Sequence, residues 1–234
     1  MLRRLPLVAL VFAALCAPSV ASAGEPAAPF SPTRDKSFVA VVSQWVAVAK
    51  TPGGKPVFEL QPSTLYAGQR LRLLVLGARD VDGERWLRVR LPAWHGMPSG
   101  WIRERKINLV VNPWRVEVDH RTGILRILKA GTLVRTSKVG TGTSHTPTPL
   151  GLHAIYDHWR SDQAILGEWT VSLTVHSSKM PTFNGKRAIV AIHGWGSGNG
   201  TSGNVSHGCV RVVDGGLMRM VALQLPNGTP VQVV

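Results

Sequence analysis

Period-two hydrophobicity constrains the fold of this chain more than any other feature. Segments 71–77 (LRLLVLG) and 85–91 (RWLRVRL) alternate apolar and polar residues, a pattern typical of strands with one buried face. Residues 79–84 (RDVDGE) lie between them and predict a turn. No part of 38–109 has a long helical period. We therefore expect a mainly β fold.

The second half of the chain continues this pattern, with one helix. Residues 114–142 predict three strands separated by turns at 121–123 and 129–131, and the last residues, 227–234, predict a turn and a closing strand. We expect irregular structure over 157–186. Residues 214–225 place Leu217, Val221 and Leu225 at helical spacing, with Asp214 as the N-cap.

The first residues have the features of an export signal. Two arginines precede an apolar stretch over 5–20, and the small residues Ala21, Ser22 and Ala23 follow it. This order predicts a signal peptide over 1–23 and an exported protein. An uncleaved N-terminal anchor is the alternative, and Leu15 argues against lipidation of Cys16. Residues 24–36, rich in Pro, Ala and charged residues, predict a flexible leader.

The net charge indicates an anionic partner. The chain carries a formal charge of +14, and loss of Arg3 and Arg4 with the signal lowers it by two, to +12. Such a charge favours polyanions. An exported protein rarely meets nucleic acid, so we expect anionic cell-wall polymer or a membrane surface, with compositional bias as the alternative.

Cys209 is the only cysteine after residue 23, so it cannot form an intramolecular disulfide. A thiol becomes a good nucleophile when an imidazole accepts its proton. His207 lies two residues before Cys209, and His193 ends an apolar run 16 residues before it. Gly208 permits a sharp turn, in which the amides of 207–209 could hold an oxyanion. A zinc site and a purely structural loop remain alternatives.

These residues resemble the L,D-transpeptidase (YkuD) catalytic domain family. The resemblance covers roughly 114–234 and implies a catalytic domain over 113–234 with a β-sandwich-like fold. It rests on His193-Gly194, on Ser206-His207-Gly208-Cys209-Val210-Arg211, on Gly140-Thr141-Gly142 with Pro147-Thr148-Pro149-Leu150-Gly151, on Ala188 to His193, and on Asn227-Gly228-Thr229-Pro230-Val231.

The resemblance implies an exported enzyme of the periplasm or cell-wall space that forms 3→3 cross-links between peptidoglycan peptide stems. Cys209 would be the nucleophile and His193 the general base. The Gly194 carbonyl would orient the imidazole, and His207 and Gly208 would supply backbone donors. No metal or other cofactor is implied. A hydrolase that uses the same thioester is the enzymatic alternative.

Two further positions of the motif have expected roles. Ser206 matches the family's Ser/Thr position. Arg211 stands where many members have Asn, and it could pair with a stem carboxylate or serve only in packing. The family often has an aromatic lid, for which 157–186 is the candidate with Trp159, Trp169 and Phe183; core packing is the alternative for each aromatic residue.

Residues 37–110 are similar to a bacterial SH3-like domain, on the evidence of 83–89 (GERWLRV) and 100–102 (GWI). Such domains often bind wall peptides, although Trp86 and Trp101 could simply belong to the core. A wall-binding protein with a vestigial catalytic domain is the non-enzymatic alternative, and the intact His193 and Cys209 argue against it. In papain-like wall peptidases the cysteine precedes the histidine, which is the opposite order.

Overall fold

A computed structural model describes residues 30–177, 179–180, 182–183, 186–195 and 202–234. The predicted signal peptide and the first six residues of the predicted leader, 24–29, lie outside these residues. The chain is mainly β, which confirms the predicted fold class. None of the helices in the described ranges is long and apolar enough to span a membrane.

The first sheet has seven strands in the order β3-β2-β6-β5-β4-β1-β7, accompanied by two short 3₁₀ helices, Ala93–His95 and Glu104–Lys106. All of its strand pairs are antiparallel. The strands are β1 (Ser37–Val41), β2 (Val46–Ala49), β3 (Pro56–Leu60), β4 (Arg72–Val81), β5 (Glu84–Arg90), β6 (Ser99–Arg103) and β7 (Asn108–Asn112).

The second sheet has nine strands in the order β16-β10-β17-β15-β12-β11-β18-β8-β9, and an extra β9–β10 pairing joins its β9 edge back to β10. A separate pair, β13–β14, and the 3₁₀ helix Ala164–Leu166 accompany it. The elements are β8 (Trp114–Asp119), β9 (Ile124–Lys129), β10 (Thr132–Gly142), β11 (Gly151–Arg160), β12 (Trp169–His176), β13 (Thr182–Phe183), β14 (Lys186–Arg187), β15 (Ile189–His193), β16 (Gly203–Ser206), β17 (Val210–Val212), helix α1 (Gly215–Gln224) and β18 (Pro230–Val233).

Tight turns allow the strands to run further than the sequence predicted. Asp82 and Gly83 have φ of 52° and 75°, and two consecutive positive φ values are typical of a type I′ hairpin turn. This turn needs only two residues, so β4 and β5 stay paired up to Val81 and Glu84. The six-residue turn predicted at 79–84 is therefore too wide.

The irregular structure predicted for 157–186 is wrong in part, because this range contains the end of β11 and the whole of β12. Val171 and Leu173 face the core cluster of the second sheet. Thr170 and Ser172, on the opposite face, are also buried. Residues 170–175 (TVSLTV) alternate hydroxyl and apolar residues at period two. The sequence therefore does carry the signal of this strand, and the expectation of irregular structure overlooked it.

The two sheets make direct contact through β11. The Tyr156 side chain packs into the core of the first sheet, and its Oη accepts a hydrogen bond from the Leu65 amide at 2.7 Å. The fully buried Asp157 carboxylate accepts two more, from the amides of Tyr66 and Ala67, each at 3.0 Å. These bonds fix the loop that precedes β4 against the second sheet.

The predicted helix is confirmed, with Asp214 as its N-cap. The Asp214 side chain accepts a hydrogen bond from the Leu217 amide at 3.0 Å, which satisfies one of the free N–H groups of the first turn. Arg135 on β10 also contacts the Asp214 carboxylate at 2.7 Å. Leu217 and Val221 are buried in the core below the helix.

Two substitutions at this position separate the cap from the ion pair. We expect Asp214→Ala to lower the free energy of unfolding by about 1 kcal/mol or more, since it removes the cap. Asp214→Asn keeps a capping oxygen and loses only a partly exposed ion pair, which is worth roughly 0–1 kcal/mol. Urea unfolding of both variants measures the difference, and equal destabilisation would mean that the Arg135 contact matters rather than the cap.

Candidate active site

The candidate site forms where β15 and β17 run parallel to each other. Ile192 pairs with Val210, and His193 pairs with Arg211. Ile192 and Val210 face the core cluster of the second sheet, so His193 and Arg211 face the other way. Extending the register by one residue places Cys209 opposite Ala191, on the same face as His193. The strand pairing therefore places the predicted nucleophile and the predicted base on the same face of the sheet.

The orientation of His193 is set by its own neighbour in the chain. The side chain is 3% exposed, and its Nδ1 lies 2.6 Å from the Gly194 carbonyl oxygen. Because a carbonyl oxygen only accepts hydrogen bonds, Nδ1 carries the proton when the ring is neutral. Nε2 is then left with a free lone pair, as a general base requires.

Burial keeps both members of the pair uncharged. It lowers the pKa of His193 to about 4, assisted by the positive charge of Arg211 and opposed by the Gly194 hydrogen bond. Burial likewise raises the pKa of the Cys209 thiol, against the opposing effects of the Ala191 backbone and Arg211. The sequence left open whether the pair rests as thiolate and imidazolium or as neutral groups. These pKa shifts favour neutral thiol and neutral imidazole near pH 7.

The turn that carries Cys209 is held by Ser206. The Ser206 Oγ donates to the Cys209 carbonyl at 2.6 Å and accepts from the Gly208 amide at 3.1 Å. Gly208 has a φ of 115°, which favours glycine at this position. The Ser206 carbonyl in turn accepts from the Thr143 amide and the Thr146 hydroxyl. Ser206 and Gly208 thus shape the backbone at the thiol.

This geometry corrects one expectation about the backbone donors. The Gly208 amide is already bonded to Ser206 Oγ, so it does not point freely into the site together with its neighbours. The His207 side chain is exposed, unlike the buried His193. Of the two imidazoles near Cys209 in the sequence, the structure buries only His193 on the face of the thiol.

Arg211 is a cation whose charge acts on both members of this pair. Its guanidinium carbon lies 3.8 Å from the centroid of the Trp195 ring, a cation–π contact. The Arg211 Nε is buried and has no hydrogen-bond partner within the part of the chain that the structure describes. Arg211 can therefore donate hydrogen bonds to an anionic group of a ligand.

The loop between β11 and β12 supports the base, a role that the sequence did not reveal. Gly167 in this loop has a φ of 68°, and a Cβ built on it would lie 2.9 Å from the Gly194 Cα and 3.0 Å from its carbonyl carbon. The same carbonyl orients His193. The only sign of this role in the sequence is a glycine two residues before a strand. Many ordinary turns have a glycine at the same position.

The aromatic residues of the predicted lid lie on strands. Trp159 is near the end of β11 and Trp169 begins β12. Trp169 packs against the core cluster, which supports the core alternative for that residue. The Phe183 side chain lies outside the described part of the structure. Residues 161–168, which include the 3₁₀ helix Ala164–Leu166, connect these two strands beside the site.

Within the described ranges, no three His, Cys, Asp or Glu side chains are grouped closely enough to hold a metal ion. His193, His207 and Cys209 all lie within those ranges and do not form such a group.

Comparisons with known proteins place the second half of the chain in a family. The model of the YkuD family, described as the L,D-transpeptidase catalytic domain, matches residues 113–233, about half of the chain. The chain therefore belongs to the family of YkuD L,D-transpeptidase catalytic domains. No curated protein matches the sequence.

Several solved structures are similar to part of the chain. A crystal structure of an Enterococcus faecium L,D-transpeptidase shares 20% identity over 52% of this chain and 49% of that one, with a TM-score of 0.40. The chain thus spans about half the length of that protein. The NMR structure of an E. faecium L,D-transpeptidase catalytic domain shares 23% identity over 52% of this chain and 96% of that domain, with a TM-score of 0.38. An L,D-transpeptidase from Mycobacterium smegmatis shares 13% identity over 64% of this chain and 90% of that one, with a TM-score of 0.41. Because these scores lie below 0.5, the assignment rests on the family model.

Burial of a neutral histidine makes stability depend on pH. The pKa of His193 is about 4 in the folded protein and 6.5 without burial, so the unfolded chain binds the proton first as the pH falls. The contribution of His193 is fully present above about pH 6.5 and decreases towards pH 4, with a loss of about 2 kcal/mol by pH 5. Denaturant unfolding at pH 7 and pH 5 measures this loss in the free energy of unfolding. The wild type should lose about that much more than His193→Gln does. Equal losses would contradict a buried neutral His193.

The support given by Gly167 can be tested against a matched glycine. Gly83 has a similar φ of 75° but has open space where a Cβ would lie. We expect Gly167→Ala to displace the Gly194 carbonyl, weaken its bond to His193 and slow alkylation of Cys209 by iodoacetamide at pH 7. Gly83→Ala imposes the same backbone strain elsewhere and should leave that rate unchanged. NMR of the imidazole nitrogens shows whether Nδ1 loses its fixed proton, and equal alkylation rates in the two variants would refute the role of Gly167.

Proposed function

We propose that the chain is an exported L,D-transpeptidase that forms 3→3 cross-links in peptidoglycan. The observation that carries this proposal is the parallel pairing of β15 and β17, which puts the Cys209 thiol on the same face as an imidazole whose Nε2 is free to accept a proton. Family membership supplies the substrate class, the peptide stems of the bacterial cell wall.

In the first half-reaction, Cys209 attacks the amide carbonyl between the third and fourth residues of a tetrapeptide stem. His193 Nε2 takes the thiol proton as the S–C bond forms. The imidazolium then gives this proton to the departing amine of the terminal D-alanine, and a thioester remains. The Gly194 carbonyl, which holds Nδ1–H, stabilises the positive charge on the ring in the intermediate state.

In the second half-reaction, the side-chain amine of the diamino acid in a neighbouring stem attacks the thioester. His193 accepts a proton from this amine and returns it to the departing thiolate, so that the new amide and the free thiol are formed together. Water in place of the amine would give hydrolysis through the same intermediate. The product therefore depends on whether the site excludes water and binds the acceptor amine.

Two neighbouring groups have supporting roles in this proposal. With the Gly208 amide engaged by Ser206, the amides of His207 and Cys209 are the candidates to stabilise the oxyanion. Arg211, placed over Trp195 and without an acidic partner in the described ranges, would bind a carboxylate of the stem.

The first sheet is proposed to act as an SH3-like domain that binds the cell wall. The positive net charge of the chain suits an anionic polymer. Trp86, one of its two candidate binding residues, is only 4% exposed and therefore belongs to the core. Trp101 is half-buried and remains a candidate. The proposed location is the periplasm or cell-wall space.

Acylation kinetics test the roles of the three central residues. Cys209→Ala should abolish release of D-alanine from a tetrapeptide stem and formation of a covalent adduct with a carbapenem. His193→Gln should slow acylation by about 10²–10⁴, the usual contribution of a general base. His207→Gln is the control, because its exposed side chain should matter little. A fast His193→Gln enzyme together with an inactive His207→Gln enzyme would show that the wrong histidine has been assigned.

The products distinguish transfer from hydrolysis. Purified enzyme incubated with disaccharide-tetrapeptides should yield 3→3 linked dimers, detectable by mass spectrometry, and should still do so after exhaustive chelation with EDTA. Tripeptides without dimers would establish the hydrolase instead. Activity that is lost on chelation and restored by zinc would overturn the mechanism above.

A further inference from the structure

One row of side chains crosses the active face of the second sheet. Trp159 on β11 pairs with Thr170 on β12, Thr170 pairs with His193 on β15, and His193 pairs with Arg211 on β17. Residues that are directly paired across neighbouring strands project from the same face. The row therefore connects the proposed base with an aromatic residue two strands away.

The orientation of the row follows from the burial of adjacent residues. Val171 and Ile192, next to Thr170 and His193 in the chain, belong to the core cluster on the other face. His158, next to Trp159, directs its Nε2 to the Leu225 carbonyl at the end of helix α1, which also packs on that other face. Trp159 therefore faces away from the core, on the side of His193.

The first sheet adds a second aromatic ring at the end of this row. The centroids of the Tyr66 and Trp159 rings lie 5.2 Å apart with a 38° angle between the planes. Tyr66 is 46% exposed, so its ring is accessible to a ligand. Its backbone is held by the buried Asp157 carboxylate, which accepts hydrogen bonds from the amides of Tyr66 and Ala67. The pair is thus an anchored feature composed of residues from both sheets.

We propose that Tyr66 and Trp159 form a subsite that stacks against a pyranose ring of the glycan strand. The inference rests on the proposed function and extends it to the sugar that carries the stem. The flat C–H face of a pyranose is apolar and suits the face of an aromatic ring, while the phenol and indole edges can bond to its hydroxyls.

The distances agree with this occupant. Strands in a sheet lie about 4.8 Å apart, so β11 lies roughly 14 Å from β17, at the start of which Cys209 is placed. The attacked carbonyl belongs to the third residue of the stem, and three extended residues span about 10 Å. The linkage from the stem to the sugar accounts for the remaining distance. Thr170 and His193 in the row are themselves buried, so the stem would pass beside them. The straight-line separation is then the shortest path by which its sugar could reach the aromatic pair.

Binding of two matched ligands tests the subsite. The probes are a disaccharide-tetrapeptide and the same tetrapeptide without sugars, titrated calorimetrically into Cys209→Ala protein so that no turnover occurs. We expect the sugar-bearing ligand to bind about tenfold more tightly. Tyr66→Ala and Trp159→Ala should each abolish this advantage while the affinity for the free tetrapeptide stays the same, and Tyr66→Phe should retain the advantage.

A second exposed aromatic residue of the first sheet provides the control. Trp45 is 59% exposed and makes no part of the row, so Trp45→Ala should keep the full sugar advantage. Loss of the advantage in Trp45→Ala alone would place the sugar elsewhere and overturn the subsite. Equal binding of both probes to the parent protein would overturn the subsite and leave the proposed function intact. If neither probe bound, the proposed function and the subsite would both fail.

Discussion

The parallel pairing of β15 with β17 is the constraint on which the rest of the site depends. Parallel neighbours cannot be joined by a tight hairpin, so the chain must leave β15 at His193 and return before β17 can begin. The return ends in the Ser206–Cys209 turn, which the 143–146 loop holds by hydrogen bonds to the Ser206 carbonyl. A shift of this register by one residue would put His193 and its present partner Arg211 on opposite faces of the sheet.

The same pairing explains the electrostatics of the site. His193 is buried and Cys209 is partly buried, and removal from water disfavours the charged form of each group. The resting pair is therefore neutral, and the imidazole becomes charged only when it removes the thiol proton. The Gly194 carbonyl bonded to Nδ1 replaces the third side chain of a familiar catalytic triad, and the loop at Gly167 limits how far that carbonyl can move.

The two sheets are coupled next to this site. Asp157 and Tyr156 lie on β11, beside the strand that borders β15, and both accept hydrogen bonds from backbone amides of the loop before β4. An unpaired buried carboxylate would be costly, so these bonds fix the loop where Tyr66 meets Trp159. Contact between the sheets therefore contributes to the surface over which a ligand would lie.

The sequence by itself determined the features that depend on local chemistry. Alternating apolar residues predicted the strands, and segments with turn-forming residues predicted the turns. Asp214 predicted the helix cap, and the spacing of His193 and Cys209 predicted the candidate pair. The period-two pattern of 170–175 also indicates β12, although irregular structure was expected there. The role of Gly167 is not visible in the sequence, because it depends on a neighbour 27 residues away in the chain. Only the tertiary structure decided that the Gly208 amide is engaged and that Tyr66, in the loop before β4, meets Trp159 on β11. It also supplied the environment that shifts the pKa values of His193 and Cys209 towards the neutral forms. Each of these depends on register or burial between segments distant in the chain, and neither quantity can be obtained from local sequence.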